Sequence, residues 1–192
     1  MWNYAAGIHH PNPRVPLEGL SLIPPKSALW LDATGTRFGP LPLVTGFDTH
    51  MICKRIAQDP HGYSWQVMNW KIASKEIAVS GAESNTAFRD RRVIQLAKDI
   101  LKGNHKLLEY LVNECDDVVV ADSLEELVEK MNTLNTTSHT RGSGTVKLEN
   151  IRSSIQRYDE QIDLGRELHN DDQLRKIAQV RHWRGDRSRT CK

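Results

Sequence analysis

The chain has 192 residues, enough for a single domain or for one domain with an appended arm. Apolar residues make up 39% and charged residues 26%, and the net charge is +2, so the composition is that of a globular protein and predicts neither a nucleic-acid nor a membrane partner. Three widely spaced cysteines form neither a zinc-binding cluster nor an even disulfide set, which favours a reducing compartment and the cytoplasm by default.

The first 47 residues hold every proline of the chain except Pro60. Because this density forbids long helices, it predicts an extended arm with turns. Within the arm, residues 28–38 comprise an apolar run, a turn centred on Gly35 and a second run, a pattern that predicts a β-hairpin in which Asp32 and Arg37 pair. Apolar side chains early in the arm are expected to be exposed, among them Trp2, Leu20 and Ile23.

The sequence after the arm predicts mainly helices. Asp48 and Asn69 are expected N-caps for helices that run to about residues 58 and 79, with a strand at 64–68 between them. A Ser-x-x-Glu capping box begins at Ser123. Apolar residues at helical spacing predict further helices at 93–102, 104–112, 124–131, 148–162 and 172–180. The run 118–121 predicts a buried strand, and residues 81–92 and 132–145 predict loops. The expected fold class is α+β, a small sheet with several helices.

Most motifs that would carry chemistry are absent from the sequence. The single Gly-x-Gly, at 142–144, lies in a polar stretch and lacks the third glycine of a dinucleotide-binding loop. His9 and His10 are adjacent, but no third ligand at a suitable spacing accompanies them, so no metal site is predicted. Residues 175–192 carry seven Lys or Arg against one acid, which is typical of a solvated tail and leaves nucleic-acid binding as a distant alternative.

A set of short strings does resemble a known family. They occur in order along the chain as LWLDATGTRF at 29–38, GFDT at 46–49, GYSWQVMN at 62–69, KEIAVSG at 75–81, VVVADSLEELVEKMN at 118–132 and RHWRGDR at 181–187. Together they resemble the middle, cap-domain part of FAD-binding dehydrogenases of the fumarate reductase and 3-ketosteroid dehydrogenase superfamily. The resemblance covers nearly the whole chain.

The resemblance implies a two-domain flavoprotein in which a cap closes over FAD and a substrate that passes hydride to the flavin. It assigns residues 1–47 to an arm and hairpin leading from an FAD-binding domain, 48–180 to the cap, and 181–192 to a basic tail. The Rossmann-type FAD half of such an enzyme is not found in this sequence. No arginine follows the strand at 64–68, where fumarate reductases carry theirs, so an apolar, possibly steroid-like substrate is favoured over fumarate.

Four site residues follow from the resemblance, and no catalytic residue is assigned. His9 and His10 fall near the position where the superfamily places a polar residue beside the flavin, although a surface turn before Pro11 is the simpler interpretation. Tyr63 and Trp65 lie on one side of the predicted strand and are candidates to face the substrate, with ordinary core packing as the alternative.

Two functions remain open at this point. One is a fragment of an FAD-dependent oxidoreductase, and the other is a catalytically inert cap remnant or a module that binds a flavoprotein partner. The missing glycine-rich loop makes FAD binding by this chain alone doubtful.

Overall fold

A computed structural model describes residues 7–16, 18–22, 25–38, 49–78, 80, 83–137 and 144–184. Its strands are β1 (Gly7–His9), β2 (Gly19–Ser21), β3 (Leu29–Leu31) and β4 (Trp65–Val67). Its helices are α1 (Thr49–Ala57), α2 (Trp70–Glu76), α3 (Thr86–Arg89), α4 (Val93–Lys102), α5 (His105–Glu114), α6 (Leu124–Thr137), α7 (Leu148–Asp163), α8 (Gly165–Leu168) and α9 (Asp172–Arg184).

Two small antiparallel sheets form in the part of the chain that the structure describes. β1 pairs with β2 so that Ile8 lies opposite Leu20, and β3 pairs with β4 so that Trp30 lies opposite Gln66. The combination of short antiparallel strands and numerous helices confirms the α+β class. The strand predicted at 64–68 is confirmed as β4.

The turn after β3 has the predicted form but a different internal contact. Leu31 bridges to Arg37, and Gly35 adopts a φ of +86°, a conformation that glycine accepts most readily. The prediction that Asp32 pairs with Arg37 was wrong. The Asp32 carboxylate instead accepts hydrogen bonds from the backbone N–H groups of Thr34 and Thr36, because a short acidic side chain at the start of a turn reaches those donors first.

Two main clusters of buried side chains organise the described residues. In the first, Leu20 packs with side chains of α2 and α5, and in the second, Leu29 and Leu31 of β3 pack with side chains of α6 and α7. The expectation that Leu20 would be exposed was wrong, because β1–β2 lays this side chain, 3% exposed, on the first cluster. Trp2 and Ile23 lie outside the described residues.

Several predicted helix starts are confirmed by their capping hydrogen bonds. Asn69 accepts from the N–H of Ile72, and Asn104 accepts from the N–H of Leu107. Ser123 Oγ accepts from the N–H of Glu126 at the start of α6, as the capping box requires. The cap predicted at Asp48 lies outside the described residues.

Three sequence predictions were wrong in their details. Residues 118–121 form no strand: the N–H of Val118 donates to the carbonyl oxygen of Cys115 in a turn, and the side chains of Val118 and Val119 pack from a loop. A short helix, α3, interrupts the stretch predicted as a loop at 81–92, and α6 continues to Thr137 into the second predicted loop. Local polarity indicated loops at both places, but tertiary packing overrides weak local preference.

Helix α4 forms where its spacing predicted, yet its apolar side is not in the core. All ten residues of α4 are described and none is buried. Val93, Ile94 and Leu101 are each more than 70% exposed, and only Leu96 among the apolar residues is half-buried. The helix packs on α2 and α3 with its other side, so its apolar stripe faces outward.

Candidate functional site

The described residue with the clearest unmet binding capacity is His10. It lines a polar cleft of about 340 Å³ together with Asn12, Pro13, Arg14, Glu83, Ser84 and Tyr110. The cleft lies where the chain leaves β1 and meets the segment before α3. The His10 side chain is 8% exposed, so its ring is nearly enclosed by the walls of the cleft.

The hydrogen bonds of His10 fix the role of each ring nitrogen. The backbone N–H of Asn12 lies 3.0 Å from Nδ1 and must be the donor, so Nδ1 accepts and the neutral ring carries its proton on Nε2. Nε2 lies 3.4 Å from Glu83 Oε2 and makes no well-aligned hydrogen bond to any described residue. A buried N–H donor without a partner is costly, and it is satisfied by a ligand or a water in such a site.

Charged groups around His10 hold the cleft in shape. Glu83 forms an ion pair with Arg14 through its other carboxylate oxygen. The backbone N–H of Arg14 donates to Glu18, which holds the pKa of that carboxyl below its usual range, and the N–H of His10 donates to the carbonyl oxygen of Glu18. The cleft therefore offers a buried imidazole donor beside a guanidinium and a carboxylate that largely neutralise each other.

His9, the other predicted flavin contact, has a different environment. Its backbone N–H donates to Asp117 Oδ2, and its ring Nδ1 lies 2.7 Å from the same oxygen. Both of these groups are used to attach β1 to the loop after α5, and the side chain is 54% exposed. His9 therefore attaches β1 to the loop after α5, whereas the His10 ring lines the cleft.

Tyr63 is held by its own chain. Its hydroxyl donates to Asn135 Oδ1 at 3.1 Å and accepts from the backbone N–H of Gly144 at 3.2 Å. Burial raises the pKa of this phenol, against the hydrogen bond from Gly144, which lowers it. The hydroxyl therefore uses its donor and one acceptor position to join the segment before β4 to α6 and to the segment before α7.

Trp65 stands beside Tyr63 with its ring edge-on at a centroid distance of 5.9 Å. Its side chain packs against the second buried cluster, and its indole N–H is enclosed with no hydrogen-bond partner among the described residues. Trp65 packs against the second cluster with Tyr63 beside it, whereas His9 ends β1 and His10 follows it, and β1 packs on the first cluster through Ile8. The predicted site residues therefore occupy two regions of the molecule.

A buried polar cluster that the sequence did not reveal forms around Arg37. Its guanidinium contacts Asp171 at 2.6 Å and Gln173 at 2.8 Å and lies 4.5 Å above the ring of Tyr158. Burial alone would raise the pKa of Asp171, but the hydrogen bonds from Arg37 and from the N–H of Leu174 overcome this and hold that pKa below its usual range. The two partners are 134 positions apart in the sequence, so no local pattern indicates this pair.

Three of the described glycines, at 35, 103 and 144, test whether a dinucleotide could approach the backbone there. A phosphate-binding loop needs glycines whose missing side chains leave room for the pyrophosphate. A Cβ at Gly144 would lie 2.6 Å from Ala33 Cβ, one at Gly35 would lie 2.8 Å from Ile151, and one at Gly103 would lie 2.9 Å from Ser74. At each of these positions the space is taken by the chain's own atoms, so these glycines do not fit an FAD cradle. Gly142 lies outside the described residues.

Two other kinds of site are absent from the described residues. There, no group of three or more His, Cys, Asp or Glu side chains is arranged to hold a metal ion. None of the helices in the same part of the chain is long and apolar enough to cross a membrane.

Comparison with known proteins gives consistent matches. The chain is 35% identical over 188 residues to proteins named KsdD-like steroid dehydrogenase from two strains of Mycobacterium tuberculosis. It is 32% identical over 187 residues to a KsdD-like steroid dehydrogenase of Mycolicibacterium smegmatis. Each match covers 97% of this chain but 32% of the relative, so the chain spans about a third of the length of these curated relatives. No family model and no solved structure matches.

These matches extend over the same strings that carried the resemblance, and they agree on one kind of protein. Nearly the whole of this chain is therefore homologous to about a third of the sequence of proteins named KsdD-like steroid dehydrogenases.

Proposed function

We propose that this chain forms the cap, or substrate-side part, of an FAD-dependent dehydrogenase that acts on an apolar, steroid-like substrate. The observation that carries the proposal is the similarity of 97% of the chain to proteins named steroid dehydrogenases. The class of reaction, hydride transfer from substrate to flavin, follows from the family. Because the chain's own atoms fill the space beside Gly35, Gly103 and Gly144, the proposal assigns the pyrophosphate-binding loop to polypeptide other than these three turns.

In this proposal His10 is the residue that faces the flavin or the substrate. Its Nε2 opens on the cleft, where it lies 3.4 Å from Glu83 Oε2 and makes no well-aligned hydrogen bond to a described residue. His9 is set aside because its ring and backbone both bind Asp117. Tyr63 and Trp65 are proposed to support the interior of the cap. Of the two, Trp65 is the better candidate to contact the substrate, because no hydrogen bond to a described residue holds its indole ring.

The test is a chimera in which this chain replaces the matched 187 residues of the M. smegmatis relative. We expect the chimera to retain flavin and to reduce an artificial electron acceptor only when a steroid is present. A chimera that is loaded with flavin but shows no steroid-dependent turnover with a panel of ketosteroids would reject the proposal.

Substitutions in the same chimera test the role of His10. We expect His10→Ala to weaken the retention of flavin or to raise the KM for the steroid by about tenfold, the effect of losing one buried hydrogen bond. His10→Gln keeps an N–H donor and should restore part of the loss. The matched control is His9→Ala, which removes the Asp117 contact and should leave both quantities unchanged.

A second candidate function is a catalytically inert cap that serves as a partner-binding module. The observation that favours it is the Tyr63 hydroxyl, whose two hydrogen bonds within the chain leave it little capacity for a substrate. This alternative predicts that the chimera binds flavin but oxidises no steroid, and that the chain itself co-purifies with a flavoprotein.

A further inference from the structure

The outward side of α4 exposes apolar side chains to solvent, where such residues are usually buried. Its members recur at positions i, i+1, i+4, i+7 and i+8 of one helix and therefore form a single stripe. Val93 is 72% exposed, Ile94 77% and Leu101 74%. We call this stripe, with the neighbouring ring on α3, the α4 surface; it consists of Phe88, Val93, Ile94, Ala97, Ile100 and Leu101.

Such a stripe normally faces the core, because its spacing is the one that buries a helix side. Contiguous apolar patches of this kind on a folded domain mark interaction sites. The helix is attached from the other side, where Leu96 and Asp99 are half-buried and where the cap Gly103 lies against Ser74 of α2. The α4 surface is therefore held on the fold by its opposite side and presents its apolar side chains outward.

The charges around the stripe restrict what can cover it. Residues 89–102 contain five Lys or Arg and two Asp. Asp90 is already engaged by Arg89 and Arg92. Pairing the α4 helices of two copies through this stripe would therefore bring two surfaces of net positive charge together. Like charges on both surfaces oppose association of two copies.

The relatives supply the occupant. The match leaves the larger part of each relative's sequence outside it, and that polypeptide must pack against the matched third. We propose that the α4 surface is the docking surface for this remaining polypeptide of the dehydrogenase, which would present an apolar groove rimmed by Asp and Glu. The proposal rests on the proposed function only in calling that polypeptide the FAD-binding part.

Thiol labelling tests this directly and does not depend on turnover. Cysteine is introduced at Ile94 and Leu101 of this chain, and at the aligned positions of the full-length M. smegmatis relative, and the rates of reaction with a maleimide are compared under native conditions. We expect fast labelling in this chain and at least about tenfold slower labelling in the relative, as for a site opened only by fluctuation. The control position is Leu168 on α8, 75% exposed, which should label quickly in both proteins.

The possible outcomes separate the occupants. Equal labelling rates in this chain and in the relative would overturn the proposal. Protection in the relative that disappears on dilution would assign the surface to a second copy, and protection that requires added phosphatidylserine vesicles would assign it to a lipid surface; either result contradicts the proposal. A relative that is protected at these positions but oxidises no steroid would support the docking surface and reject only the catalytic proposal.

Discussion

Arg37 attaches the turn after β3 to the start of α9. It leaves the turn after β3 and binds Asp171 and Gln173 at the start of α9, with its guanidinium stacked on Tyr158 of α7. The Arg37 and Asp171 side chains are 22% and 10% exposed, so solvent screens this pair far less than the surface pairs of the chain. A buried pair of this kind is costly to break, because the remaining charge keeps its desolvation without its partner.

The substitution Asp171→Asn tests this pair. We expect it to lower the free energy of unfolding by about 2 kcal/mol at neutral pH, measured by urea denaturation. Because the folded-state pKa of Asp171 lies below its unfolded value, its contribution is present above the usual aspartate pKa and is lost as the pH falls through the folded value. The difference between wild type and variant should therefore shrink in acid.

The neighbouring residue provides the control. Asp172 pairs with Arg175 at the surface, with both side chains about half exposed, and Asp172→Asn should cost no more than about 0.5 kcal/mol. If Asp172→Asn lowered the free energy of unfolding as much as Asp171→Asn, the stabilisation would come from negative charge near the start of α9 and not from the contact with Arg37.

Tyr63 allows a test of attachment against substrate contact. Replacing it with Phe keeps the ring and its edge contact with Trp65 but removes the hydroxyl that joins Asn135 and Gly144. We expect Tyr63→Phe to reduce the free energy of unfolding by about 1 kcal/mol in chemical denaturation. Tyr110→Phe, at the rim of the His10 cleft, is the control and should leave stability unchanged. Unchanged stability in Tyr63→Phe would contradict the attachment role.

For the helices, the sequence near each start predicted where the helix begins, but it did not predict which surface the helix packs against. Caps at Asn69, Asn104 and Ser123 use donors within a few residues, so their spacing alone predicts them. The outward stripe of α4 could not be predicted, since the same periodicity serves a buried face and a docking face. The His10 cleft depends on Glu83, more than 70 residues away, and no pattern in the sequence links the two.

The turn after β3 depends on Gly35 for two separate reasons. Its φ is +86°, and a Cβ there would lie 2.8 Å from Ile151 of α7. We expect Gly35→Ala to cost more than about 2 kcal/mol in thermal or chemical unfolding. Gly62→Ala has a similar φ of +72° but open space around it, so it should cost only the backbone part, about 1 kcal/mol. Equal costs would show that the contact with α7 contributes nothing.

For the molecule as a whole, the homology to part of the KsdD-like steroid dehydrogenases makes cofactor binding the quantity to measure. The glycines at 35, 103 and 144 are filled by the chain's own atoms, so we expect the purified chain to leave FAD fluorescence unquenched in a titration. The full-length M. smegmatis relative is the positive control. Stoichiometric quenching by this chain alone would contradict the assignment of FAD binding to other polypeptide.

The distance in sequence between Arg37 and Asp171 also has a consequence for the order of folding. The turn at 32–36 meets α7 and the segment at 144–147, and the residue after it binds α9, so these contacts join parts of the chain more than 100 residues apart. Long-range contacts of this kind form late, because the intervening loop must close first. During synthesis, the turn after β3, which belongs to the string LWLDATGTRF, is thus among the last parts to become fixed, because Arg37 finds its partners only once the start of α9 has been made.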